Sequence, residues 1–222
     1  MAMIDTHEQE QVDALKAWWK DNRKWLISAL TIALLAYVAF SYWKSYQGKR
    51  AAEASTLYAE VLKQVASNDP KRINDSVAVL VDKYGSTAYA SRAQFLAVQT
   101  NLQFKDLARA KTQLEWVIAH ASESGLQDTA RLKLSSILLD EKKYDEAMKL
   151  LDATHPDSFV GLFADLKGDV LAAQGKTEEA RTAYRLAFEK MDIKSAYRNL
   201  IQLKLDGLGV DGKGADVQGG AK

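Results

Sequence analysis

The chain has no cysteine in its 222 residues. That excludes disulfides, thiolate metal sites and cysteine nucleophiles together, and leaves the redox compartment open. Proline is confined to Pro70 and Pro156, and only six of the twelve glycines precede residue 207. Helix breakers are therefore scarce, while Ala, Leu, Lys, Glu and Gln are plentiful, a balance that favours long helices. No charge of one sign dominates: 30 Lys and Arg stand against 29 Asp and Glu, for a net charge of +1. Bulk attraction to nucleic acid or to acidic partners is not expected. After residue 44 no stretch alternates in the manner of a strand. The length suits one ordinary domain plus an anchor.

The one long apolar run is WLISALTIALLAYVAFSYW, from Trp25 to Trp43, without a charged residue. As a helix it rises about 28 Å, close to the ~30 Å hydrocarbon core of a bilayer. Lys24 and Lys44 bracket it. Trp18, Trp19 and Trp25 lie at one end and Tyr42 and Trp43 at the other, where amphipathic rings settle at headgroup level; these five are the expected interface anchors. A cleaved signal peptide carries a shorter apolar run, of about 7–15 residues, ending in small side chains. This run ends in Ser41-Tyr42-Trp43 and reads as an uncleaved anchor. Residues 1–24 are expected to be a short tail whose Val12, Leu15, Trp18 and Trp19 share one face of a juxtamembrane helix resting on lipid. Orientation is not fixed by charge: Lys16, Lys20, Arg23 and Lys24 precede the span, and Lys44, Lys49, Arg50 and Lys63 follow it.

Residues 44–206 read as paired helices. Ala51, Ala54, Leu57, Tyr58, Val61, Leu62 and Val65 form one stripe, and Ile73, Val77, Leu80, Val81 and Tyr84 a second, with Gly85 expected as its left-handed terminator and Ser86 or Thr87 as the next cap. Self-comparison then finds a repeat. Gly168, Leu171, Gly175, Ala180, Tyr184 and Ala187 follow the small, large, turn, small, large, small order of a tetratricopeptide-type hairpin. In it Gly168 is expected to face Ala180, with Gly175 turning the chain. Ser135, Leu138, Ala147 and Leu151 match one unit earlier, and Val98, Ala110, Leu114 and Val117 before that. The predicted fold is all-α: one transmembrane helix over 25–43, then a tetratricopeptide-like solenoid of helical hairpins. Residues 193–206 are expected to cap its last apolar face, and the glycine-rich 207–222 to be disordered.

Nothing in the sequence assembles into catalytic, cofactor-binding or metal-binding chemistry. His7, His120 and His155 are scattered without metal-ligand spacing, and no serine lies in a nucleophile elbow. Gly207 to Gly212 spells G-x-G-x-x-G, but it follows a helix rather than a strand and lacks the context that aims amides at a pyrophosphate. The expectation is a binding scaffold without cofactors, not an enzyme. A membrane-anchored hydrolase would need a constellation the chain does not carry. An assembly scaffold for another envelope complex stays open.

Gln11-Val12-Asp13-Ala14, Trp18-Trp19, Tyr42-Trp43 and the block Ala164-Asp165-Leu166-Lys167-Gly168 running into Gly175 and Ala180-Arg181 occur in an order that resembles the ancillary SecYEG translocon subunit family. The resemblance covers nearly the whole chain, apart from the tail after residue 207. It implies an inner-membrane protein with its N-terminus in the cytoplasm and its repeats in the periplasm. It further implies association with SecYEG and with a membrane-anchored periplasmic chaperone of the prolyl-isomerase type, in the handling of newly translocated envelope proteins. In tetratricopeptide-like domains the first helix of each pair lines the partner-binding surface. Here that places Arg92, Gln99 and Gln103 in the first unit, Ser136 and Asp140 in the second, and Asp165 and Asp169 in the third. The expected surface changes from basic and amide-bearing to acidic, a gradient able to orient a partner.

Overall fold

The computed structural model describes residues 2–67 and 69–210. These fall into two compact units, the first reaching to Ala52 and the second beginning at Glu53. Helix α1 runs Ala2–Ser67, and the expected boundaries after residues 24 and 43 fall inside it without a break. Its first part holds a helix long and apolar enough to cross a membrane, with mean hydropathy 1.8 and none of the apolar window buried. Leu30, Ile32, Leu34, Leu35 and Phe40 are exposed around its circumference. A core helix would hide such side chains, whereas lipid is a solvent that suits them.

The second unit is helical wherever it is ordered into elements: α2 Pro70–Tyr84, α3 Ala88–Gln103, α4 Leu107–His120, α5 Ser124–Asp140, α6 Tyr144–Leu151, α7 Val160–Ala173, α8 Thr177–Lys190 and α9 Tyr197–Val210, with a 3-10 turn at Asp157–Phe159. Among the described residues there is no strand. The end of α1 supplies Ala54 and Val61, fully buried with Ile73, Val77 and Leu80 of α2 and Ala93 and Ala97 of α3, while Leu62 of the expected stripe stays exposed. Asp69 caps α2 by accepting from the amides of Lys71 and Arg72 at 3.0 and 3.2 Å, and Pro70 opens the helix. Gly85 is not left-handed: its φ is −55°. A Cβ there would lie 2.7 Å from the carbonyl oxygen of Val81, so glycine is required for room rather than for handedness. Thr87 occupies the N-cap position of α3, but its hydroxyl donates to the Tyr84 carbonyl instead.

Helices α3/α4, α5/α6 and α7/α8 form three hairpins with one turn geometry. Lys105, Lys142 and Gly175 have φ of 61°, 60° and 77°. In each hairpin the residue after the left-handed position donates its amide to a carbonyl five residues back: Asp106 to Asn101, Lys143 to Leu138, Lys176 to Leu171. This is the Schellman closure of a helix C-terminus. Ala110, Ala147 and Ala180 then begin the second helices with equivalent amide bonds, to Asp106, Lys143 and Lys176, and all three are fully buried. The register read from the alanines is therefore the register of the fold. In the third hairpin, however, Gly168 lies against the ring of Tyr184, where a Cβ would come within 2.5 Å of two ring carbons, and no atom of Ala180 is among its three nearest neighbours.

Helix α9 covers the end of the solenoid through Ile201, with Leu205 and Leu208 packed beside it. It begins four residues later than the expected 193 and continues through Gly207, Leu208, Gly209 and Val210, four residues that the sequence suggested would be disordered. Leu208 explains the extension: it reaches the apolar cluster, and its carbonyl accepts from Arg181 at 2.8 Å. The rest of the expected tail, 211–222, lies outside the described residues, and with it Gly212 of the G-x-G-x-x-G string.

Candidate functional site

The seven residues expected on the partner-binding face do not share one environment. Gln99 and Gln103 on α3 and Ser136 and Asp140 on α5 are exposed. Arg92, at the start of α3, is exposed but engaged: its guanidinium lies 2.9 Å from the carboxylate of Glu123, and that bond raises its pKa further above the ordinary value. The repeat register places Gln99, Ser136 and Asp169 in one column. It places Asp165 in another, with the apolar Phe95 and Leu132.

Asp165 is 2 % exposed. Its carboxylate accepts from the Tyr197 hydroxyl at 2.7 Å and from the Lys204 ammonium at 2.9 Å to each oxygen. The same ammonium reaches the two Asp169 oxygens at 2.7 and 2.8 Å, and Tyr184 donates to Asp169 at 2.7 Å. Two carboxylates, one ammonium and two phenols thus form a closed cluster between α7, α8 and α9. Burial, and then the neighbouring carboxylates they donate to, raise the pKa of both phenols. The expected acidic end of the face is consequently not a free surface. Lys204 pairs with both carboxylates, and the column occupied by apolar Phe95 and Leu132 in the earlier units is ionic in the last. Tyr197 and Lys204 lie seven residues apart, two turns on one helical face, and that spacing was the available signal.

A second polar cluster is buried between α2, α3 and α4. Asn101 donates to Gln113 at 2.7 Å and to Asn74 at 3.1 Å, and Gln113 donates to Asn74 at 2.8 Å. These amides satisfy one another and fix the helix register rather than offering a free site. A concavity lies elsewhere, a groove of about 700 Å³ between the end of α6, α7 and α8. Its floor is apolar, and its rim carries Asp152, Lys167 and Glu179. Nothing in helical periodicity announced it. Among the described residues no group of three or more His, Cys, Asp or Glu side chains could hold a metal ion.

Trp18, Trp19, Trp25, Tyr42 and Trp43 are all exposed on α1, beyond and within the apolar window.

Comparison with known proteins agrees with this architecture. The model of the tetratricopeptide repeat-like domain matches residues 16–210. The ancillary SecYEG translocon subunit of Neisseria gonorrhoeae (strain ATCC 700825 / FA 1090) is 33 % identical over 202 residues, covering 90 % of this chain and 97 % of that protein. The protein of the same name from Escherichia coli (strain K12) is 27 % identical over 207 residues, covering 93 % and 99 %. That from Aggregatibacter actinomycetemcomitans is 26 % identical over 201 residues, covering 90 % and 97 %. One apolar helix followed by three repeat hairpins, matched over about nine-tenths of the chain at this level, shows that the chain belongs to the ancillary SecYEG translocon subunit family.

Proposed function

We propose that this protein is a membrane-anchored, non-catalytic scaffold of the Sec translocon that assists a periplasmic chaperone in receiving newly translocated envelope proteins. The observation carrying the reading is the near full-length match to proteins named as SecYEG subunits, in a chain whose helices form a binding-type repeat domain. One apolar helix near the N-terminus fits residence in the inner membrane. In this reading the N-terminus is cytoplasmic and the repeats periplasmic. Trp18, Trp19 and Trp25 set one interface and Tyr42 and Trp43 the other. Gln99, Gln103, Ser136 and Asp140 are the exposed remainder of the docking face, and a membrane-anchored prolyl-isomerase-type chaperone is its partner.

Two measurements test this. Protease added to spheroplasts should remove the repeat domain, and protection of that domain would overturn the orientation. Photo-crosslinking from residues 25–43 in native membranes, with mass-spectrometric identification of adducts, should return a SecYEG subunit. Recovery of a different envelope complex in its place would replace this reading with that of an assembly scaffold for that complex.

A further inference from the structure

The groove beside α6 exists because one helix of the solenoid is short. Helices α4 and α8, the second helices of their hairpins, have 14 residues each, whereas α6 has 8. Past Leu114, α4 continues for nearly two turns, and Val117 and, just beyond the helix end, Ala121 are buried in one cluster with Ala130 and Leu134 of the next hairpin. The residues 37 positions further on are Thr154 and Ser158, and neither is α-helical. His155 precedes Pro156, whose ring disfavours helical backbone before it. The chain instead folds His155 flat over Phe163, with ring centroids 4.0 Å apart, and starts a 3-10 turn.

What remains is a seat for about two helical turns without its helix. Leu151, Phe163 and Leu171 form a buried floor, and Leu186, 42 % exposed, forms the open wall. On the rim Asp152 is neutralised by Lys167 at 2.7 Å. Among the described residues Glu179 has no ion-pair partner, so the described rim carries one uncompensated negative charge. This groove uses a different face of α7 from Asp165 and Asp169, which α9 covers.

We infer that this groove is a second docking surface, which takes a short amphipathic helix from a protein partner, with leucine-like side chains on one face and a lysine or arginine placed to meet Glu179. The vacated register supplies the shape, the floor supplies the apolar preference, and Glu179 supplies the sign. The inference rests on the scaffold reading above for its setting, and on the groove alone for its chemistry.

The test uses the full chain in nanodiscs and two fluorescent helical peptides. One carries leucines at i, i+3 and i+7 with a terminal arginine, and its twin has glutamate in place of the arginine. Fluorescence anisotropy should show the arginine peptide binding about tenfold more tightly than its twin. Leu186→Lys should weaken both by about tenfold or more. Glu179→Lys should reverse their order. Both substituted positions are surface-exposed, and melting by circular dichroism checks that the variants fold. Equal binding of the two peptides would overturn the inference. So would binding untouched by Leu186→Lys but lost in Gln99→Lys with Ser136→Lys. Occupation of the groove by a second copy of this chain would also overturn it, seen as dimerisation abolished by Leu186→Lys. Competition by anionic lipid vesicles would do the same. None of these results alters the SecYEG crosslinks, so failure here is separable from failure of the scaffold reading.

Discussion

Lys105 and Lys142 hold the left-handed position that Gly175 holds in the third hairpin. A side chain bearing a Cβ is strained there by roughly 1–2 kcal/mol, partly offset because glycine loses more backbone entropy on folding. Lys105→Gly and Lys142→Gly should each therefore stabilise the domain by roughly 0.5–1 kcal/mol, measured by denaturant unfolding. A loss of stability at both sites would mean that the lysine side chains make contacts outweighing the strain. The opposite sign applies at Gly168. An added methyl must push back the Tyr184 ring, which is buried and tethered through its hydroxyl to Asp169. Gly168→Ala should cost roughly 1–3 kcal/mol. An unchanged melting temperature would show that the ring yields without penalty. The left-handed turns also mark where the sequence was hard to read. Gly175 announces its turn, whereas Phe104-Lys105-Asp106 and Glu141-Lys142-Lys143 carry no turn residue at the position that needs one. Their geometry follows from the buried alanine that comes five residues later in each hairpin.

At the scale of elements, α9 is held by an ionic contact in a column where the earlier units use apolar side chains. Lys204 is one-fifth exposed and Asp165 nearly buried. Lys204→Met leaves two carboxylates facing each other, and should cost roughly 2–4 kcal/mol, somewhat below the full cost of breaking a buried pair. Adding Asp165→Leu, which restores the residue type of Leu132 and Phe95, should recover most of that loss. If the double variant is no more stable than the single, the column analogy fails. The phenols add a pH dependence. Their folded pKa values lie above the ordinary value of about 10, so the unfolded chain ionises first as pH rises. Their contribution is complete below pH ~10 and is lost progressively above it, toward the folded values. Thermal melts above that pH should show falling stability, with a shallower fall in Tyr197→Phe. An equally steep fall in that variant would assign the alkaline loss to other groups.

The whole molecule was legible where a pattern is local and unreadable where it depends on distant partners. The apolar span, the paired helices and the alanine register rest on runs and spacings within tens of residues. The burial of Asp165 depends on Lys204, 39 positions away, and the groove depends on α6 stopping early, of which Pro156 gave only an indirect sign. The same division governs stability. Among its described residues the second unit has three apolar clusters, one shared by the end of α1 with α2 and α3, one spanning α3 to α7, and one spanning α7 to α9. They contain 7, 13 and 6 buried residues respectively, so the central hairpins have neighbours on both sides and α9 has them on one. In a repeat array stability is close to a sum of unit and nearest-neighbour terms, and local opening starts where fewest apolar contacts must break. Native-state hydrogen exchange on the full chain should therefore rank α5 and the α3/α4 pair as slowest. The amides of α9 should exchange through a separate opening of lower free energy, brought closer to the baseline of an unstructured chain by Lys204→Met. If α9 instead exchanges together with α5 in one global event, the ionic clamp welds the cap to the core, and the solenoid unfolds as a single cooperative body.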